Sequence, residues 1–250
     1  MAWVDCLGGP SCAWTANGAR VRCEAESTRA EPPLHINYGG SVGDASHQLL
    51  ARSAFEEQLN FNMSASLMIG TPELQRGLPL ENLAPEHLPE ELMPPAELIG
   101  ALSDAIRAGH TPISNFYIAP DAHGGHGLYA ATELPRHAML GEYVGALRRE
   151  ISGCDIESDA YVMRYPDVGG SLHLSAKDCG SLMRFVNHAP TAHASNNATC
   201  WAVLVDGAYH TVVVTTRAIA AREEIAYDYG QAYWAKRGAP SLVGEQGGSS

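Results

Sequence analysis

Arg222-Glu223-Glu224-Ile225-Ala226-Tyr227-Asp228-Tyr229-Gly230 is the stretch on which the reading of this 250-residue chain turns. If extended, it puts Tyr227 and Tyr229 on one side, because side chains alternate along a strand. Alternating aromatics on a strand are ordinary core packing, so the segment gains weight only from its upstream neighbours. Three of them stand out with it. His123-Gly124-Gly125-His126-Gly127-Leu128-Tyr129-Ala130 is a glycine cluster whose backbone can approach a ligand closely. It lacks the Lys-Ser/Thr of a phosphate loop. Gly141-Glu142-Tyr143-Val144-Gly145 reads as a strand ending in glycine, and Arg184-Phe185-Val186-Asn187-His188 closes an apolar run with an Asn-His pair. The donors and acceptors of that pair suit a buried site or a helix cap equally well.

Short β-rich runs surround these segments: Phe116–Ile118, Gly127–Ala130, Met139–Val144, Tyr161–Tyr165, Leu172–Leu174, Trp201–Val205 and Thr211–Thr216. Turn residues separate them, which predicts a mostly β domain with short helices. Upstream the character differs. Residues 44–60 carry Leu49, Leu50, Ala54, Phe55 and Leu59 at helical spacing and predict an amphipathic helix. Six prolines between Pro72 and Pro95 forbid a long helix and read as an extended connector. Pro95 then opens a helix that Gly109 stops. The expected division is therefore an α-containing N-terminal region with its connector (1–96), a mostly β domain (97–237) and a disordered Gly/Ser tail (238–250). A chain starting near Glu97 is expected to fold by itself.

The net charge of −12 argues against direct binding to nucleic acid, which rests on neutralising phosphates with Lys and Arg. It suits a basic protein partner, or serves solubility alone. No apolar run is long enough to cross a membrane, and the N-terminus lacks the basic and apolar stretches of a secretory signal. Six scattered cysteines without a CxxC pair predict free thiols, a reducing intracellular setting and no metal site. The sequons at Asn62 and Asn197 then read as accidental.

Taken in order, the four segments resemble the SET-domain family of S-adenosylmethionine-dependent protein lysine methyltransferases. Gly-His-Gly-Leu resembles the family's G-x-G segment, followed by Gly-Glu-Tyr-Val-Gly, Arg-Phe-Val-Asn-His and Glu-Glu-Ile-Ala-Tyr-Asp-Tyr-Gly. Tyr161-Val162-Met163 sits where the family has its central strand, and Tyr233-Trp234 resembles the aromatic pair after the last motif. The resemblance covers roughly residues 113–237 and implies a SET-type β fold with a threaded C-terminal segment. It assigns His126, Gly127, Leu128, Tyr161, Arg184, Phe185, Asn187, His188 and Trp234 to the cofactor. Tyr229 would stand beside the transferring methyl, with Tyr143 and Tyr227 lining the lysine channel. A tyrosine at 227 implies mainly monomethylation of a lysine in a protein substrate, a histone being one basic candidate. Residues 189–197 depart from the family's Ser-Cys and Pro-Asn pattern, and no zinc-binding Cys-x-Cys follows Tyr229. The competing reading is an inactive SET-fold binding module or protein-interaction scaffold. A nuclear or cytoplasmic place follows from the family, and a bacterial effector delivered into a host cell is the other.

Overall fold

The computed structural model describes residues 34–36, 48–64, 68–69, 82–108, 113–149, 159–235 and 237. Residues 1–33, most of the proline stretch up to residue 81, the tail from Gly238, and Cys6, Cys12, Cys23 and Cys154 lie outside these.

Short strands in small sheets dominate. The chain turns from β5 (Phe116–Pro120) into β6 (His126–Ala130) through the glycine cluster. Asp121 makes that turn: its Oδ1 accepts the N–H groups of His123 and Gly125, each at 2.8 Å. Gly124 takes the positive φ of 83° that the bend requires. β7 (Met139–Glu142), β13 (Ala198–Val205) and β14 (Ala208–Thr215) form an antiparallel sheet in the order β13-β14-β7. Asp206-Gly207, both left-handed, closes its hairpin with the twist the strands need. β8 (Ala146–Arg149), β10 (Leu172–Ser175) and β9 (Val162–Arg164) make a second antiparallel set. β7 ends before Val144 and the chain turns at Gly145, where a Cβ would lie 2.3 Å from the Ser175 carbonyl oxygen. The two-residue strands β12 (Asn187–His188) and β15 (Ala226–Tyr227) pair in parallel, Asn187 opposite Ala226 and His188 opposite Tyr227.

The N-terminal region departs from expectation. Residues 44–47 of the expected helix lie outside the described residues; Gln48–Leu50 is strand β2, antiparallel to β1 (Leu34–Ile36), and Arg52–Leu59 forms helix α1. β1 pairs with β5, β3 (Asn62–Met63) with β11 (Cys179–Gly180), and β4 (Met68–Ile69) with β8, all parallel. Phe55 and Phe61 are fully buried in the main core with Phe116, Leu128, Leu140, Met183, Phe185 and Ile225. Each such burial is worth about 1.5–3 kcal/mol. The boundary expected near residue 96 is therefore not a boundary between separate cores. Nor is residue 82 onward a bare connector, since Leu83, Leu88 and Leu92 pack on Leu147, Tyr165 and Leu174. Helix α2 (Ala96–Ala108) forms as expected and lays Leu98, Leu102 and Ile106 on Val203, Val205, Val212 and Val214.

Candidate active site

The β12–β15 pair brings the Asn-His segment beside the last tyrosines, and an aromatic cluster follows from it. The Tyr229 ring lies 5.1 Å from Tyr227, 4.9 Å from Tyr233 and 5.3 Å from His188. It is parallel to Trp234, at 6.2 Å and 9°. Trp234 and Tyr233 come from the short helix α3 (Gln231–Ala235), and Trp234 sets its edge on His188 at 4.8 Å. Arg237 holds this helix down: its guanidinium stacks 4.2 Å from the Tyr233 ring and donates to the Asp159 carbonyl.

Hydroxyl protons are committed unevenly. Tyr229 Oη donates to the Val186 carbonyl at 2.7 Å, and Tyr143 Oη to the Tyr161 carbonyl at 2.7 Å. The Tyr227 hydroxyl has no such partner among the described residues. Burial is the largest cause raising the pKa of all three, so each stays a neutral phenol at physiological pH. The neighbouring Cys200 thiol is pushed up to about 12 by burial and is inert.

His188 is neutral. Burial, the first cause, lowers its pKa against the pull of Asp228. Its Nδ1 accepts the Tyr229 N–H at 3.2 Å, which puts the ring proton on Nε2. Asn187 sends its amide Nδ2 to two carboxylates, Asp121 Oδ2 at 3.0 Å and Glu224 Oε1 at 2.7 Å. Acceptors on both sides fix which end of the amide is nitrogen. Desolvation raises the Glu224 pKa, with Asp121 adding to it and the Asn187 hydrogen bond opposing it. A Cβ at Gly127 would lie 2.5 Å from Glu224 Oε1, so a larger residue there would displace the Glu224 carboxylate from its place beside Asn187.

The remaining expected residues take different places around this cluster. His126 and Tyr161 stay half-buried at the edge of this region, and burial lowers the His126 pKa. Leu128 is fully buried, and its carbonyl already accepts the Ile225 N–H at 2.8 Å. Phe185 turns into the core, edge-on to Phe55 at 6.1 Å and Phe61 at 5.8 Å. Arg184 stacks 4.0 Å from the Tyr161 ring, with its Nε buried and unpaired. Asp121, Glu224 and the Val186 carbonyl were not foreseen. An Asp four residues before Gly125 is a turn signal, and Glu224 stands three before Tyr227; neither pattern says which side chain the carboxylate will meet. Asn197, read as a sequon, is fully buried and fixes β15 instead: its Oδ1 accepts the Ala226 N–H at 3.0 Å, and its Nδ2 donates to the Glu224 carbonyl at 2.7 Å.

Residues 125–230 match the SET domain family. The human histone-lysine N-methyltransferase 2D is 28% identical over 123 residues, 46% of this chain and 2% of its own length. A histone-lysine N-methyltransferase specific for H3 lysine 4 from Yarrowia lipolytica is 34% identical over 114 residues, 41% of this chain and 9% of its own length. This chain therefore corresponds to a small fraction of much longer relatives. The crystal structure of ATXR5 in complex with histone H3.1 mono-methylated on R26 superposes with a TM-score of 0.53 at 19% identity, covering 71% of this chain and 84% of that one. The likeness is one of fold.

Proposed function

We propose that this chain, a member of the SET-domain family through residues 125–230, is a protein-lysine N-methyltransferase that uses S-adenosylmethionine. The observation that carries the proposal is the Tyr229 hydroxyl bound to the Val186 carbonyl inside the cluster of Tyr143, Tyr227, Tyr233, His188 and Trp234.

The polar groups left over suit the methyl donor. Arg184 is a cation without a carboxylate partner among the described residues, fitting the donor's carboxylate. Asp121 and Glu224 flank Asn187 where a positive charge would offset their mutual repulsion. The Trp234 Nε1 is buried without a hydrogen-bond partner on the ring proposed to cover the adenine. His126, Gly127, Leu128, Tyr161 and Phe185 complete this side in the proposal, by main chain or by supporting Arg184. When bound, S-adenosylmethionine supplies an electrophilic methyl group on a sulfonium.

The protein's share is to deliver a neutral amine in line. A free lysine has a pKa near 10.4, so deprotonation at pH 7 costs about 4.6 kcal/mol. An aromatic, water-poor channel reduces that cost by disfavouring the ammonium. No tyrosine here is a base, because burial raises all three. The proton is lost to solvent before the amine seats. Tyr229 has spent its own proton on Val186, so a lone pair remains to accept an amine N–H and orient the nitrogen. Held near methyl, the amine gains the proximity term. The uncommitted Tyr227 hydroxyl can hold a water or the amine, leaving no room for a second methyl. Monomethyl-lysine is the proposed main product.

A histone is the proposed substrate class, supported by the relatives' names and by the −12 charge that suits a basic tail. A nuclear or cytoplasmic site of action follows from that substrate. Among the described residues no helix is long and apolar enough to cross a membrane. The Asn197 clamp on β15, with Asp228 accepting from Thr191 N–H and Oγ1, supports the threaded path of the C-terminal segment. Labelled S-adenosylmethionine incubated with the full chain and core histones, followed by mass spectrometry of the lysines, tests the activity. Absence of methyl-lysine across all histones and a lysate would refute it.

A further inference from the structure

We infer that Phe61, far upstream of the matched segment, is a positioning residue of the methyl-donor site: it holds the Arg184 guanidinium so that only its edge is left for the donor's carboxylate. This rests on the cofactor reading above and adds the N-terminal segment to it. Arg184 Cζ lies 4.1 Å from the Phe61 ring centroid and 4.0 Å from that of Tyr161, with Phe185 at 5.0 Å. Stacking occupies the faces of a planar guanidinium and leaves its N–H donors along the rim. Those donors have no carboxylate among the described residues, and Nε is buried without a partner. Such a fork matches a carboxylate in two-pronged fashion. The donor carries one anionic group, the carboxylate of its amino-acid tail; its ammonium and sulfonium would be repelled.

Phe61 is itself over-determined, which is what a positioning residue needs. It is fully buried, edge-on to Phe55 at 6.4 Å and to Phe185 at 5.8 Å. Asn60 before it adopts a left-handed turn, and the Phe61 N–H donates to the Glu56 carbonyl at 3.0 Å. Immediately after it β3 pairs with β11, four residues upstream of Arg184. The ring is thus fixed from both chain directions against the segment that carries the arginine.

Two ligands separate this role from plain core packing. S-adenosylhomocysteine keeps the amino-acid tail; methylthioadenosine lacks it. In calorimetry on the full chain, Phe61→Leu should weaken S-adenosylhomocysteine about tenfold and leave methylthioadenosine within about twofold. Phe61→Tyr should restore the affinity, and Phe61→Leu combined with Arg184→Gln should bind no more weakly than Arg184→Gln alone. Equal weakening of both ligands, or additive losses in the double variant, would show that Phe61 merely stabilises the core and would overturn the inference. So would an unchanged affinity in Phe61→Leu beside a weakened Arg184→Gln. A wild-type chain that binds neither ligand would instead fail the cofactor reading on which this one depends.

Discussion

Tyr143 and Tyr229 each give their hydroxyl proton to a main-chain carbonyl, while the Tyr227 hydroxyl beside them has no hydrogen-bond partner among the described residues. Removing each should therefore have a different effect. Tyr229→Phe loses one hydrogen bond, about 1 kcal/mol of stability, and the lone pair proposed to orient the amine. The fold and cofactor affinity should survive while turnover drops at least a hundredfold; a rate within twofold of wild type would remove Tyr229 from the chemistry. Tyr227→Phe should keep turnover and shift the product to di- or trimethyl-lysine, as read by mass spectrometry at exhaustive reaction. Abundant trimethyl-lysine from wild type would show that Tyr227 sets no limit. His188 adds a pH dependence. Its folded pKa lies below the unfolded value near 6.5, so the neutral ring's contribution is complete above that value and is lost as pH falls through the folded pKa. His126 is shifted the same way. The melting temperature should fall between pH 7.5 and 5.5, and His188→Gln should flatten some of that fall; an identical slope would contradict the assignment.

At the scale of elements, two-residue strands carry the candidate site. β12 and β15 are too short to be seen by periodicity, yet their pairing sets His188 opposite Tyr227. The motifs that name these residues were legible; their partners were not. Nothing near Asn187 in sequence points to Asp121 or Glu224, 66 and 37 residues away. Local pattern also misled at residues 44–60, where the apolar spacing fits a helix but Gln48–Leu50 is drawn into pairing with β1. Tertiary pairing outweighs so weak a local preference. The amide fork gives a prediction at this scale. Asn187→Ala removes the donor shared by Asp121 Oδ2 and Glu224 Oε1, which should cost about 1–3 kcal/mol of stability. It should also weaken S-adenosylmethionine by tenfold or more, about 1.4 kcal/mol. Unchanged calorimetric affinity would take the Asp121–Asn187–Glu224 group out of the site.

For the whole molecule, the SET-type β architecture was readable from the four motifs, whereas the reach of the fold was not. Proline frequency marks residues 72–95 as non-helical, but it says nothing about the strands on their far side. β1, β3 and β4 enter the later sheets one at a time, each too short to announce itself. A chain beginning at Glu97 would lose those strands together with Phe55 and Phe61. Deleting a buried Phe side chain alone costs about 3–5 kcal/mol, against a total stability of about 5–15 kcal/mol. Such a truncation should show no cooperative melting by circular dichroism; a melting curve equal to the full chain's would restore the division near residue 96. The central claim, that this acidic chain moves a methyl group to lysine, is most directly tested by one measurement. The 250-residue chain with methyl-labelled S-adenosylmethionine and core histones should yield methyl-lysine, mainly the monomethyl form, and Tyr229→Phe should abolish it. Histone lysines left unlabelled by wild type at levels indistinguishable from the Tyr229→Phe control, in histones and in lysate alike, would contradict the account.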